Sequence, residues 1–530
     1  MSGIDQCLLE WKKFLKGDQI VVDSLSIGET QANTLGVDRA VSAVLYPRSQ
    51  NDVVEIIKIA STHKIKIYPV STGKNWGYGC SAPVESGGVV LNLSRMDRII
   101  DFDSELGVVT LEPGVTAQKL YDYLQQKNLS FMVPTTGAGP TVSIVGNALE
   151  RGYGLAQYSD HFQAVLSLKA VMADGNIYEK SVGVGREGSS VNAFKWGVGP
   201  YIDGLFTQSN MGVVIEMSVA LAPTPARCEV FFLLARKNIG PADMAAATRD
   251  MLHALGGYTM INLMNRYRLA SMITPYLLTE GKAKNKRPFQ MVDEYIRRKR
   301  IPDWVGMGLL GGDADMNYQA KKLIKKKFRK LCKDMIFVDA KKVRIMEAIC
   351  GHLPGKPMMD TIYGLKMALQ NISGIPNEVA LKMPYWKTGG VPPSGGIADL
   401  TKDGCGLIWY SPLVPLKGKV IDEYIRRIES VSLKYDRKPL ITLTSLSPRC
   451  FDSTIPILFD KEDPDEVKKA HDYYNALYDS CAEIGILPYR VGIHSMDKIA
   501  DQNSSFWKVA KKIKQALDPD NTIAPGRYSA

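Results

Sequence analysis

The segment Ala222 to Arg227, reading APTPAR, constrains the fold of this chain most, because two prolines there end a series of short strand-like runs and the pattern changes beyond them. Before it, AVLYP, KIYPVS, GVVLNLS, GVVTLEPG and GVVIEMSVALAP are β-rich runs broken by Gly/Pro turns, with an ADG hairpin turn at Ala173 to Gly175. Helices interrupt them. NDVVEIIKIASTHK carries Val53, Val54, Ile56, Ile57 and Ile59 on an apolar face, and TAQKLYDYLQQKN opens on Thr116 as an N-cap. Beyond the prolines, CEVFFLLA, VGMGLLGG, GLIWYSPLVP, LITLTSLSP and STIPILFD alternate with long amphipathic helices, which predicts an antiparallel sheet carrying helices. A chain of 530 residues is too long for one core. The expectation is α+β with two domains, 1–225 and 226–486, followed by a last helix and a Pro/Gly-rich tail.

With 45% apolar and 23% charged residues the chain has ample material for cores and is not a disordered one. No run of 18 apolar residues occurs, and MSGIDQCLLEWKKFLKGDQI has acids and lysines where a secretory leader needs a continuous apolar stretch. A cytoplasmic protein without a membrane span is expected. The eight cysteines form no CxxC pair and read as reduced thiols, and the six histidines form no metal-binding spacing, so no metal is expected. Between Lys282 and Arg344 there are 19 Lys/Arg against 7 Asp/Glu, a local excess that accounts for the whole-chain net charge of +11. In AKKLIKKKFRKLCKDM, Ala320, Leu323, Ile324, Phe328, Leu331 and Met335 fall at helical spacing, which makes the lysines the solvated face of a surface helix. No nucleic-acid motif accompanies them. The polar stretch Thr279 to Arg300 reads as a mobile loop.

Ser71 to Gly79, reading STGKNWGYG, follows the strand KIYPV and is rich in small residues that let consecutive N–H groups face an anion. It is not a Walker A loop, because Asn75 follows Lys74 where Ser or Thr is required. On spacing alone a diphosphate cradle and an ordinary surface turn are equally good readings. Gly183, Gly185 and Gly188 satisfy G-x-G-x-x-G, but no amphipathic helix follows, so this is read as a flexible loop. No nucleophile elbow is present, and hydrolase chemistry has no anchor.

Taken together, PVSTGKNWGYG, LEPGVT, VGNALERGYG with YSDH behind it, GPYIDGLFTQSNMGVV, Leu487-Pro-Tyr-Arg490 and LDPDNTIAPGR resemble the vanillyl-alcohol oxidase / 4-cresol dehydrogenase family of FAD-linked oxidases. The resemblance implies an FAD domain made of 1–225 and completed by 487–530, and a cap domain, 226–486, that bears the substrate cavity. It implies that Ser71, Thr72, Gly73, Lys74, Asn75 and Trp76 wrap the FAD diphosphate, and that Thr136, Gly137, Val142, Gly146, Asn147 and Val214 line the rest of the flavin site. It implies further that Tyr78, Tyr489 and Arg490 hold a phenolate. Three donors, one of them permanently cationic, favour phenolate over phenol, and the added charge promotes hydride loss from the para α-carbon to the flavin. His161 and Asp160 in YSDH are family-type positions that either pack or assist. Self-association into a homo-oligomer is compatible with the resemblance.

The departures are as specific as the matches. Where the phenol oxidases carry a carboxylate after Val-Pro, Val133-Pro134 leads into Thr135, in a segment three residues longer, and a hydroxyl is no base at neutral pH. Their third active-site tyrosine aligns with Leu155, and their flavin-linking histidine with Leu407. Tyr410 lies on the opposite face of that strand by period-2 alternation. Dissociable FAD is therefore expected, with O2 or an electron-transfer protein as acceptor and a small aromatic molecule as substrate. The alternatives are oxidation of a non-phenolic alcohol or hydroxy acid, whose carboxylate would suit Arg490, and a basic-surface binding protein with a vestigial flavin fold. Acid precipitation of the purified yellow protein should leave its colour in the supernatant; colour retained in the pellet would mean a covalent link. A colourless protein that takes up no FAD would favour the binding protein.

Overall fold

The computed structural model of the chain describes residues 3–154, 158–180, 190–273, 288–350, 356–386 and 397–529. The first sheet has the strand order Ile20–Val21, Val41–Leu45, Gly88–Asn92, Ile67–Val70, the last three running parallel. The helix Gln50–Thr62 starts where Ser49 accepts a hydrogen bond from the Asp52 amide, and it lays Val53, Val54, Ile56, Ile57 and Ala60 on the apolar core. The C-terminal segment completes this sheet. Ile67 N donates to Thr522 O at 2.8 Å and Ala524 N donates to Ile67 O at 2.8 Å, so Ile523 bridges Ile67 in parallel.

The second sheet is antiparallel, ordered Ile99–Asp103, Val108–Leu111, Val213–Ala220, Val165–Val171, Ile177–Glu179. Its last hairpin turns at Ala173 to Gly175, where Gly175 has φ of +81°. The helix Ala117–Gln126 begins at Thr116, whose side chain accepts from the Lys119 amide.

Among the described residues the third sheet has eight antiparallel strands in the order Cys332–Asp339, Arg227–Ala235, Trp304–Gly312, Ile261–Asn265, Thr442–Ser447, Cys450–Asp460, Cys405–Tyr410, with Leu413–Pro415 also paired to Cys450–Asp460. Alternation gives it two faces. One carries Phe231, Leu233, Ile261, Leu443 and Tyr410 against the helices Pro241–Leu255, Ala314–Phe328, Gly418–Lys434 and Pro464–Ala482. The other looks into a cavity shared with the first two sheets.

Two sequence expectations need correction. The basic helix ends at Phe328, having buried Ala320, Ile324 and Phe328, while Met335 belongs to the strand Cys332–Asp339 and pairs with Leu233. Pairing with an adjacent strand overrides the helical spacing there. The segment expected to be a mobile loop contains the helix Pro288–Lys299, which buries Val292 and Ile296 in a cluster with Ala270; two apolar residues one turn apart suffice to anchor an otherwise polar run. Gly183, Gly185 and Gly188 lie outside the described residues. No helix among the described residues is long and apolar enough to cross a membrane.

Lys514 clamps the C-terminal segment. Its ammonium donates to Asn210 O at 2.6 Å, Asp518 Oδ2 at 2.5 Å and Ile523 O at 2.9 Å, and all of it is buried. Lys514→Met leaves a buried carboxylate uncompensated and should cost about 3–5 kcal/mol, read as a lower urea midpoint. An unchanged midpoint would mean that the clamp does not hold the tail.

Candidate active site

A cavity of about 440 Å³ runs from the Ser71 loop to the inner face of the eight-stranded sheet. Every residue expected to bind flavin or phenolate lines it. The loop leaves the strand Ile67–Val70, and Gly73 (φ +70°) and Gly77 (φ +74°) give it its curvature; a Cβ on Gly73 would lie 2.0 Å from Ser81 Oγ and one on Gly77 2.3 Å from the Trp409 ring. The loop is pinned where Gly77 N donates to Thr34 Oγ1 at 2.8 Å and Trp76 Nε1 donates to Ala138 O at 3.2 Å. Among the described residues no protein acceptor takes the backbone N–H groups of residues 72 to 76. A run of unclaimed backbone donors, in a loop whose Cβ space is closed at Gly73 and Gly77, fits a diphosphate. Lys74 contributes only backbone to it, since its ammonium pairs with Asp399 Oδ2 at 2.8 Å.

The facing wall holds Thr136, Gly137, Val142, Gly146, Asn147 and Val214. Ser143 caps the short helix Ile144–Leu149 by accepting from Gly146 N, and a Cβ on Gly146 would meet Ser71 Oγ at 3.0 Å, so helix and loop close on each other. Asn147 Oδ1 is hydrogen-bonded to His161 Nδ1. Burial pulls His161 down to about 4, which leaves a neutral imidazole that orients Asn147 from outside the cavity. Asp160 accepts from Gln163 N at 3.0 Å and also stays outside.

Beside the same loop, Tyr78, Tyr489 and Arg490 come together. Ser411 organises them: its hydroxyl is 2.9 Å from Tyr78 OH and its carbonyl accepts from Tyr489 N at 3.1 Å. The Arg490 guanidinium lies 4.2 Å over the Tyr78 ring and donates to Asn75 Oδ1 at 2.5 Å. Burial pushes Tyr78 up to about 12 against the pull of Arg490. Tyr153, whose ring sits edge-on to Tyr489 at 5.6 Å between centroids, is a third tyrosine lining the cavity. Leu155, where the resemblance looked for that tyrosine, lies outside the described residues.

Arg490 is not a free cation. Its Nε lies 3.3 Å from Glu150 Oε2, and Glu150 also pairs with Arg527 and accepts from Tyr528 OH. Although burial alone would raise it, the two arginines hold the Glu150 carboxyl below its usual range. Two guanidiniums and one carboxylate leave one net positive charge.

The inner sheet face adds residues that the sequence analysis missed. Strand register aligns Met307, Asn262, Thr444 and Asp452 in one row and Met264, Thr442 and Thr454 in the next, all lining the cavity. Asp452 is buried, with Oδ1 accepting no hydrogen bond, and burial raises its carboxyl to about 7 against the pull of Arg490. Arg268, in the helix Arg266–Ile273, donates from Nε to Thr442 Oγ1 at 3.1 Å and from Nη1 to Met383 Sδ; burial draws it down to about 10. Thr135 donates its hydroxyl to Asn371 O at 2.6 Å, so it is committed to joining the two halves of the protein. Leu407 lines the cavity, whereas Tyr410 faces away and donates to Leu477 O at 3.2 Å. Glu150 and Arg527 lay within the quoted motif strings. Asp452 had only the signal of one acid inside an apolar strand, and Arg268 had none.

The sheets, the small-residue loop and the cavity suit an FAD-dependent oxidoreductase, the class to which the relatives of this chain belong. A family model described as an FAD binding domain matches residues 41–181. Over its length the chain is 31% identical to the 1'-carboxy-chondrochloren decarboxylase of Chondromyces crocatus, covering 99% of this chain and 97% of that one. It is 29% identical to the 4-cresol dehydrogenase [hydroxylating] flavoprotein subunit of Pseudomonas putida, covering 99% and 95%. The crystal structure of p-cresol methylhydroxylase with substrate bound matches with a TM-score of 0.86 at 26% identity, over 99% of this chain and 96% of that one. The chain belongs to the vanillyl-alcohol oxidase / 4-cresol dehydrogenase family of FAD-linked oxidoreductases.

Because the folded protein holds the Asp452 proton more tightly than the unfolded chain does, Asp452 contributes stability that is complete below the ordinary carboxyl value of about 4. That contribution is lost as pH rises through about 7. Asp452→Asn keeps the shape and removes the loss, so its urea midpoint should gain on wild type as pH rises from about 4 to about 7 and hold that gain above it. A difference independent of pH would mean an ordinary carboxylate.

Proposed function

We propose that the protein oxidises a small 4-substituted phenol by removing a hydride from the para α-carbon. The observation that carries this reading is the meeting of Tyr78, Tyr489 and Arg490 in one cavity with the Ser71 loop, to which Arg490 is joined through Asn75. Bound FAD supplies the hydride acceptor. Ser71 to Trp76 would hold its diphosphate through backbone donors, with Thr136, Gly137, Val142, Gly146, Asn147 and Val214 against the remainder.

The chain's own residues favour ionisation of the substrate. The net positive charge of Arg490, Arg527 and Glu150 favours phenolate over phenol. Asp452, close to Arg490, Tyr78, Tyr153 and Tyr489 and with its carboxyl near 7, is the acceptor for the phenolic proton. Proton transfer leaves the carboxyl neutral beside the new phenolate, which avoids two anions in one dry site. Hydride loss then gives a p-quinone methide, which takes up water or tautomerises. Thr135, with its hydroxyl committed, is no base for the water. Leu407 has no group to link the flavin and Tyr410 faces away, which supports dissociable FAD. Electrons pass to O2 or to an electron-transfer protein, and the cytoplasm is the compartment proposed.

A second reading, oxidation with loss of CO2, is favoured by the name of the Chondromyces relative, a decarboxylase of a carboxy-substituted compound. Release of CO2 from a substrate bearing a carboxylate would distinguish it.

Anaerobic mixing with 4-alkylphenols and 4-hydroxybenzyl alcohols should bleach the flavin, while non-phenolic alcohols and hydroxy acids should not. Tyr489→Phe should lower kcat/KM by about tenfold to a hundredfold, the effect of one hydrogen bond to a charged oxygen. In wild type kcat/KM should rise with pH through about 7 as Asp452 ionises, and Asp452→Asn should abolish that limb. Unchanged phenol turnover in Tyr489→Phe and Arg490→Ala would refute the phenolate site.

A further inference from the structure

Four cationic side chains line the cavity, and three have carboxylate partners: Lys74 with Asp399, and Arg490 and Arg527 with Glu150. Arg268 is the exception among the described residues. Its side chain meets a threonine hydroxyl and a thioether, neither of which carries charge, and the thioether is a weak acceptor. A guanidinium largely, though not wholly, shielded from water and without a counter-charge is costly to keep, unless the site is completed by an anion from outside the chain.

Its position says which part of a substrate would supply that anion. Thr442, which holds Arg268 Nε, belongs to the row Met264, Thr442, Thr454; Asp452, beside the tyrosines, belongs to the row before it. Rows on one face are two residues apart, about 7 Å along the strands. A phenol seated with its oxygen at Tyr78, Tyr489 and Arg490 therefore has Arg268 farther along the same wall, within the span of a short para side chain.

We propose that Arg268, supported by Thr442, binds a carboxylate at the end of the substrate's para side chain. The substrate class is thereby narrowed to 4-hydroxyphenyl compounds with a short carboxylate-terminated chain. The proposal rests on the phenol-oxidation reading for the other end of the substrate. It also moves carboxylate recognition from Arg490, which Glu150 already pairs, to the cap.

The test uses the FAD-loaded full-length protein and ligands that cannot be oxidised, because an ether oxygen replaces the α-carbon: (4-hydroxyphenoxy)acetate and its neutral isostere (4-hydroxyphenoxy)acetamide. Their dissociation constants are read by calorimetry and by perturbation of the flavin spectrum. Wild type should bind the acid about tenfold to a hundredfold more tightly than the amide, as expected for a charge-assisted pair. Arg268→Met should bind the two equally, and Arg268→Lys should keep part of the preference. Equal affinities in wild type would overturn the proposal without any variant. So would a loss of FAD retention or of sulfite affinity in Arg268→Met with the acid preference intact, since Arg268 would then serve the flavin. If phenoxyacetate, which lacks the hydroxyl, bound as tightly as (4-hydroxyphenoxy)acetate and kept the preference over its amide, the anion site would stand and the phenol reading would fail.

Discussion

Glu150 carries one negative charge between two buried guanidiniums, and the arrangement of the active-site end depends on it. It follows the short helix Ile144–Leu149, which lines the cavity. Through Arg527, which also donates to Tyr68 OH at 2.6 Å, it ties the C-terminal tail to the strand leading into the Ser71 loop. Through Arg490 it holds the guanidinium that covers Tyr78. A buried ion group of this kind is worth little as net stabilisation, but removing one member strands the others. Its value lies in geometry: three distant stretches of chain meet at the cavity wall, and the surplus positive charge favours an anion there.

The inner face of the eight-stranded sheet supplies the other half of the chemistry. Alternation sends apolar side chains outward under four helices and leaves Asn262, Thr442, Thr444, Asp452 and Thr454 facing the cavity. A polar face on a buried sheet is costly unless its groups are paired. Those without partners are therefore the groups to examine for function: the enclosed Oδ1 atoms of Asn262 and Asp452, and the uncompensated charge of Arg268. The cavity thus holds the loop's backbone donors and the net positive tyrosine-lined group close together, with a second cation, Arg268, against the sheet row of Thr442.

Legibility in the sequence followed range. The helix at Gln50–Thr62, the Thr116 cap and the Gly175 turn were readable because each is decided by residues a few positions apart. The misread pieces were decided by partners elsewhere. Pro288–Lys299 is helical because two residues find an apolar cluster, and Met335 is in a strand because Arg227–Ala235 lies beside it. The candidate site divided in the same way. The small residues of the Ser71 loop announced a tight, donor-lined turn, whereas Tyr78 could be joined to Tyr489 and Arg490 only through family resemblance, since no local pattern connects them.

Covalent order, periodicity and turn residues by themselves determined the strand-rich start, the change of pattern at Ala222 to Arg227, the tight small-residue turn at Ser71 to Gly79 and the absence of a tyrosine or histidine at position 407. These depend on steric and hydrophobic preferences that act over a few residues. Only the tertiary structure decided the state of each charge: Arg490 paired with Glu150, Arg268 without a carboxylate among the described residues, Asp452 holding its proton to about pH 7, and Lys74 paired with Asp399. Desolvation and Coulomb energy depend on distances between groups far apart in the chain, and those distances exist only once the sheets have packed.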